Sequence, residues 1–342
     1  MKRFFHSLKF ELSLAKSALL RVPGFSSTII ATLSITLGAL ICIFNLNHLL
    51  LVKSLPYPNA DELMVLQQTY TESGESYSGA QSAPGMLLWY KNQKVFSELA
   101  LVFDNKQLVA EHPEQPNALI NFVTPEYFSL LSPQMHLGRA INESEGIDKH
   151  QAVAVLSYEA WHKWYQSNAN IIGTKTMLGH VSYKIIGVTS KSFIVPANRN
   201  NEAADFWVPW DYQGLPVENW GVMTRALNGF GKLQKGISPL EAASTLGAML
   251  HEKYIVSGAA ESGDSASAKL LSLKDSIVGK SEKVALLLLC GVLGLLLIAT
   301  TNVTNLFLSR AAEKQRTMAI QAALGAKPNH LFIAMFAESA IL

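Results

Sequence analysis

Three places in this chain carry residue types with a known chemistry, and each lacks the partners that chemistry needs. Gly279-Lys280-Ser281 ends like a phosphate-binding loop, in which backbone amides wrap a phosphate and a lysine neutralises it. Position 274, however, is Lys where the opening glycine is required. Ser13-Leu14-Ala15-Lys16 fits the Ser-x-x-Lys of penicillin-binding enzymes, without a Lys-Thr-Gly or Ser-Asp-Asn partner. The nine histidines form no His-Glu-x-x-His and no cluster at metal-ligand spacing, and the two cysteines, Cys42 and Cys290, sit in apolar runs. No catalytic residue, cofactor or metal site is expected, and the chemistry of this chain is read as non-covalent.

The elements that position its remaining polar groups are two apolar runs. Ser27 to Leu51 and Val284 to Leu308 contain no Asp, Glu, Lys or Arg. As helices at about 1.5 Å per residue each spans roughly 37 Å, enough to cross a hydrocarbon core of about 30 Å with some tilt. The first run is longer than a signal-peptide core, and Leu49-Leu50-Leu51-Val52 offers no small-residue cleavage site, so an uncleaved anchor is expected. Lys2, Arg3, Lys9, Lys16 and Arg21 precede the first run; Arg310, Lys314, Arg316 and Lys327 follow the second. Between Lys53 and Lys283 there are 19 basic and 23 acidic side chains, so the net charge of +2 hides an asymmetry and does not point to nucleic acid. Lysine and arginine at span ends mark the cytoplasmic side. Both tails therefore face the cytoplasm and the central domain lies outside it, with no cysteine to form a disulfide there.

The central domain reads as mixed α and β. Leu63-Met64-Val65-Leu66, Val153-Ala154-Val155-Leu156 and Gly229 to Lys235 are strand candidates; Lys175 to Leu178 and Ser182 to Val188 form a hairpin around Gly179-His180. Helices are expected from Pro84 to Phe96, from Thr124-Pro125 through Leu131 with Thr124 as cap, and from Ser157. Ser238-Pro239-Leu240-Glu241 opens a further helix, to about Tyr254, with a capping-box pattern. Asn198 to Glu202 reads as a polar loop, and Gly258 to Ser267, rich in Gly, Ser and Ala, as a flexible connection. Residues from about 133 to 215 differ in pattern and are read as an inserted subdomain.

These residues carry a family pattern. Pro23-Gly24-Phe25, Leu37-Gly38 and Leu55-Pro56-Tyr57-Pro58 are followed by Thr124-Pro125-Glu126-Tyr127-Phe128 and Gly138-Arg139, then by Val155-Leu156-Ser157, Ile172-Gly173 and Ile186-Gly187-Val188. The last block is Asn302-Val303-Thr304-Asn305-Leu306, Arg310-Ala311-Ala312, Ala323-Leu324-Gly325-Ala326 and Glu338-Ser339. In this order and spacing the chain resembles the MacB/FtsX-like permeases of ABC transporters. The resemblance implies an α+β membrane protein of the bacterial inner membrane, multi-pass, with two transmembrane helices flanking a large periplasmic domain. It implies a non-catalytic permease subunit driven by a separate ABC ATPase, paired as a homodimer or with another permease in the lipid bilayer. Export or efflux, with a possible periplasmic adaptor, is the expected work.

The expected organisation is a cytoplasmic amphipathic segment at 1–22, a first transmembrane helix at 23–52 and a periplasmic core domain at 53–282. A second transmembrane helix at 283–309, a cytoplasmic coupling segment at 310–330 and the start of a third helix at 331–342 complete it. Family members continue through further helices, so the functional unit is expected to exceed 342 residues. A two-span periplasmic sensor shares this layout to residue 308, but the approach to a third span at Leu331-Phe332-Ile333-Ala334-Met335-Phe336 favours the permease.

Arg310, Glu313, Lys314 and Arg316, with Leu324 and Gly325 at the end of a small-residue helix, are the candidate ATPase-coupling residues. The alternative for this segment is a charged helix lying at the headgroup boundary. Phe4, Phe5, Leu8 and Leu12 with Lys2, Arg3, Lys9 and Lys16 make the amphipathic segment a membrane-surface anchor or a lever. Asn302 and Asn305, three apart on the second span, are candidates for interhelical hydrogen bonds of about 1 kcal/mol each. His48 reads as an interfacial residue rather than a proton carrier.

Overall fold

The computed structural model describes residues 23–49, 53–196 and 202–323. Its contacts divide the chain into two units, Ser54–Ile277 and the pair of flanking stretches Met1–Lys53 and Val278–Leu342. Strands are β1 (Leu63–Glu72), β2 (Glu75–Ser78), β3 (Gln81–Ser82), β4 (Phe96–Leu108), β5 (Asn117–Val123), β6 (Met135–Gly138) and β7 (Val153–Leu156). They continue as β8 (Lys175–Leu178), β9 (Val181–Thr189), β10 (Phe206–Pro209), β11 (Met223–Thr224), β12 (Leu227–Leu233) and β13 (Ser265–Ser272). Helices are α1 (Pro23–Asn47), α2 (Ala83–Asn92), α3 (Glu126–Leu131), α4 (Tyr158–Trp164), α5 (Pro239–Val256) and α6 (Leu273–Ala323).

In the Ser54–Ile277 unit one sheet runs β13-β1-β12-β4-β5-β10-β7-β9-β6, with β2 added to β1 and β8 to β9. Residues 133–215 supply β6 to β10, which continue the sheet begun by β1, β4 and β5. The central strands β5, β7 and β10 are buried on both faces, which is why they read as nearly unbroken apolar runs rather than alternating ones. On β1, Leu66 and Tyr70 face a core with α2 and α5, while Leu63 and Val65 face a second core with α3 and Tyr57. α5 turns Ala242, Leu246, Leu250 and Tyr254, four apart, onto the first core. Trp89 of α2, fully buried, donates Nε1 to the Leu246 carbonyl at 3.0 Å.

Local chemistry sets the helix starts. Ser238 Oγ accepts from Glu241 N at 3.2 Å, and Ser157 Oγ from Ala160 N at 3.0 Å, as expected of caps. The expected helix over Pro84–Phe96 starts instead at Ala83 under a Ser82 cap and stops at Asn92. Gln93 is extended and its side chain accepts from Phe96 N at 2.7 Å, so Phe96 opens β4. Thr124 does not cap α3: its Oγ1 accepts from Leu101 N of β4 at 3.1 Å, tying the helix entry to the sheet. The connection expected over Gly258–Ser267 is also corrected. Ser265 already starts β13, which pairs with β1 from Thr71↔Ser265 to Met64↔Ser272. The polar loop expected over Asn198–Glu202 lies, except for Glu202, outside the described residues.

In the other unit α1 and α6 contain the two spans, Ser27–Asn47 and Lys283–Ser309. Threonine hydroxyls inside them are satisfied within their own helix: Thr28, Thr32 and Thr36 donate to carbonyls four residues back, as do Thr300, Thr301 and Thr304. That removes the cost of an unbonded polar group in hydrocarbon. The expected third helix and the amphipathic segment with Phe4, Phe5, Leu8 and Leu12 lie outside the described residues.

Candidate functional site

The first and last strands of the Ser54–Ile277 unit in sequence, β1 and β13, are paired neighbours. The chain enters this unit past Tyr57, which is buried in the second core, its phenol pushed up to about 12 by burial. It leaves from β13 with no connecting residue: Ser272 ends the strand and Leu273 begins α6. Ser272 Oγ accepts from Asp275 N at 2.9 Å, closing the first turn, and Leu273 is buried with Tyr57 and Leu63. α6 then continues for 51 residues, about 76 Å at 1.5 Å per residue, well beyond the length needed for a span. Gly279-Lys280-Ser281 lies inside this helix, where its amides belong to the helical ladder and form no phosphate loop.

Among the shielded positions on the two span helices, one set on each follows spacings of four and three. On α1 these are Ile29, Leu33, Thr36, Leu40, Ile43 and Asn47; on α6 they are Ala285, Leu289, Val292, Leu296, Ala299, Val303 and Leu306. This is the seam spacing of left-handed helix pairs. The helices meet where Asn47 Nδ2 donates to the Ala285 carbonyl at 3.2 Å, while also bonding the Ile43 carbonyl at 2.9 Å. The sequence marks Asn47 less plainly than His48; its signal is an amide four residues inside the end of an apolar run. Asn302 and Asn305 lie on α6 outside its seam and are exposed in this chain. Arg310, Glu313, Lys314 and Arg316 follow on the same helix, past the span; Leu324 and Gly325 lie outside the described residues.

Away from the spans the most developed polar site is Arg139 with Glu145. Arg139 Nη2 and Nη1 donate to the two Glu145 oxygens at 2.6 and 3.1 Å, and Asn142 N donates to Oε2 at 3.0 Å. Burial alone would raise the Glu145 carboxyl; these donors outweigh it and hold it below the usual range. An open hollow of about 680 Å³ lies between the Leu215–Gly221 segment and Ser257–Ala259, with Trp220 and Glu218 in its wall. Among the described residues no group of three His, Cys, Asp or Glu is placed to hold a metal.

Residues 26–248 match the family model of the MacB-like periplasmic core domain. The chain belongs to that family. With it, this MacB-like protein is an ABC-transporter-type permease whose core domain is periplasmic and flanked by apolar helices. No curated protein matches the sequence. Similar solved structures include a domain of a putative permease protein from Porphyromonas gingivalis, at 13% identity over 64% of this chain and 93% of that one, TM-score 0.49. The periplasmic region of MacB from Actinobacillus actinomycetemcomitans is similar at 14% identity over 64% and 92%, TM-score 0.43. The extracellular domain of the noncanonic ABC-type transporter YknZ from Gram-positive bacteria is similar at 11% identity over 59% and 98%, TM-score 0.43.

The family landmarks acquire physical roles in this MacB-like fold. Thr124 to Phe128 fasten α3 to β4 and fill the second core. Gly138 and Gly187 oppose each other on β6 and β9. A Cβ on Gly138 would press into the Ile186 carbonyl, and one on Gly187 into the Arg139 carbonyl, so this strand crossing admits only glycine.

Proposed function

We propose that this chain is the membrane subunit of a MacB/FtsX-type ABC transporter, coupling ATP hydrolysis on a separate ATPase to movement of its periplasmic domain and to export or efflux. The observation that carries this reading is the direct passage of β13 into α6. β13 is held by its ladder to β1 and by packing into the first core, so displacing the helix it continues into loads both at once, with no loop to absorb the motion. The same helix reaches Arg310, Glu313, Lys314 and Arg316, which with Leu324 and Gly325 make the segment 310–330 the contact for the ATPase. Asn302 and Asn305 then serve neighbouring transmembrane helices, of this permease or of a paired copy, and an adaptor meets the periplasmic domain.

The test is reconstitution of the membrane protein with a candidate ABC ATPase from the same organism. Co-purification and ATP turnover stimulated by the permease are expected. Both should fall at least tenfold when Arg310, Glu313, Lys314 and Arg316 are replaced together by alanine, with insertion unchanged. An ATPase that neither binds nor responds would remove this reading and favour a two-span sensor.

A further inference from the structure

A row of polar side chains crosses the sheet beneath α3. Asp104 on β4 lies opposite Asn121 on β5, and Asn121 lies beside Trp207 on β10, so the three share one face. Tyr127 of α3 covers this face, with its ring centroid 5.7 Å from that of Phe230, and Phe128 packs at 6.0 Å on Trp207. Asn121, Tyr127 and Trp207 are 6, 1 and 0% exposed. Asn121 Oδ1, the Tyr127 hydroxyl and Trp207 Nε1 have no hydrogen-bond partner among the described residues. Leaving one such buried group unbonded costs about 1–3 kcal/mol, so three in one cluster call for a cause.

The Tyr127 phenol is raised chiefly by burial; Trp207 and Asn121 lie close enough to oppose that rise, yet neither is aligned as a hydrogen bond. What Asn121 Oδ1 lacks is a donor. Its cross-strand neighbour supplies one only in its neutral form, because a carboxylate accepts and a carboxylic acid donates. Residues opposed on antiparallel strands have Cβ atoms about 4.5–5.5 Å apart, within reach for a carboxyl and an amide.

We infer that Asp104, Asn121, Tyr127 and Trp207 form a proton-binding site, in which the neutral Asp104 carboxyl donates to Asn121 Oδ1 and acidification tightens the seat of α3 on the sheet. Burial pushes the Asp104 carboxyl from 3.8 to about 6, in keeping with that role. Of the groups around it, Asp205 is the other raised carboxyl. Tyr57 and Tyr127 are phenols raised by burial and stay neutral. Lys106, two residues along β4, is held by Glu202 at 2.6 Å. Asp205, in the next row, is also raised by burial but accepts from Leu119 N at 2.9 Å. A carboxyl raised in the folded state opposes folding increasingly as pH rises from about 4 to about 6, and the full cost persists above that. Acidification from pH 7.5 to 5 therefore stabilises the domain. Tyr127 shares the second core with Tyr57, on the segment by which the chain enters the domain.

The experiment is a pH titration of the full chain in nanodiscs carrying ¹³Cγ-aspartate, followed by NMR, with thermal unfolding at each pH. One aspartate resonance should titrate near pH 6 and vanish in Asp104→Asn. The rise in unfolding temperature between pH 7.5 and 5 should be halved or lost in that variant and kept in Asp61→Asn, at an exposed position. Asp104→Ser serves the same assignment should the first variant fail to accumulate. An Asp104 resonance titrating near 4, or a pH dependence undiminished in both Asp104 variants, overturns the inference.

Discussion

Asn47 Nδ2 reaches across to the Ala285 carbonyl at 3.2 Å and makes the one side-chain hydrogen bond between α1 and α6 found among the described residues. The carbonyl it meets is already inside a helical ladder, so Asn47 adds a second bond and its loss strands no acceptor. Replacing Asn47 by leucine should therefore weaken the helix pair by about 1 kcal/mol, the usual worth of such a bond in a bilayer. Unfolding in mixed micelles, compared with Asn45→Leu as an exposed control, measures the difference.

The Arg139–Glu145 pair gives the domain an acid-sensitive element. Glu145 is held below the usual range, so its contribution is complete above the unfolded carboxyl value and is lost as pH falls through the lower folded value. Glu145→Gln should cost about 1–3 kcal/mol at neutral pH, the range for a hydrogen-bonded charged group, with Arg139's exposure placing it toward the low end. Urea unfolding at pH 7 and pH 3 should show the gap between native and variant closing at the lower pH.

Ser82 joins two structures at once. Its Oγ caps α2 through Gly85 N at 3.2 Å and meets the Tyr70 hydroxyl at 2.8 Å, while its amide donates to Gln68 Oε1 at 2.7 Å. Ser82→Ala removes the cap and leaves the fully buried Tyr70 hydroxyl with Gln68 alone, so a loss of about 1–2 kcal/mol is expected. Thermal unfolding should register it. Ser82→Thr, which keeps the hydroxyl, should recover part of that loss.

Legibility in the sequence followed burial pattern. The spans, β7, the β8–β9 hairpin and the Ser238-Pro239 start of α5 were readable because composition, periodicity or a cap marks each locally. β13 was not, since Ser-Ala-Ser-Ala has the composition of a linker. Those small residues are what its site requires: Gly247 of α5 comes so close that an added Cβ would stand 3.2 Å from Ala268 N. Thr124 looked like a cap because its competing acceptor role, toward Leu101 N, is made by a strand more than twenty residues away. The direct passage from Ser272 to Leu273 has no sequence signal of its own, because it depends on where the ladder with β1 ends.

Gly138 and Gly187 test whether a family landmark marks geometry. Gly138 has φ near +65° and its Cβ position is filled by the Ile186 carbonyl. Gly138→Ala should cost about 2–4 kcal/mol, combining left-handed strain with overpacking against backbone. Gly74→Ala, also at positive φ but facing open space, should cost only the strain. Chemical denaturation of both variants separates the two contributions, and equal losses would mean the crossing tolerates a side chain.

The strongest mechanical prediction concerns the junction of β13 and α6. Two glycines inserted between Ser272 and Leu273 leave the ladder from Thr71↔Ser265 to Met64↔Ser272 intact, and leave Arg310, Glu313, Lys314 and Arg316 on their helix. Ser272 loses its cap to Asp275, worth about 1 kcal/mol, which the domain can absorb. Membrane insertion and ATPase binding should therefore persist while transport falls at least tenfold, because the inserted loop takes up the displacement. A proline-free helical insertion of seven residues into α6 after Asp275, which lengthens the helix without freeing the strand, should retain more activity than the two glycines. Equal transport in the native and glycine-inserted chains would show that force enters the domain elsewhere, with the segment around Tyr57 as the remaining route.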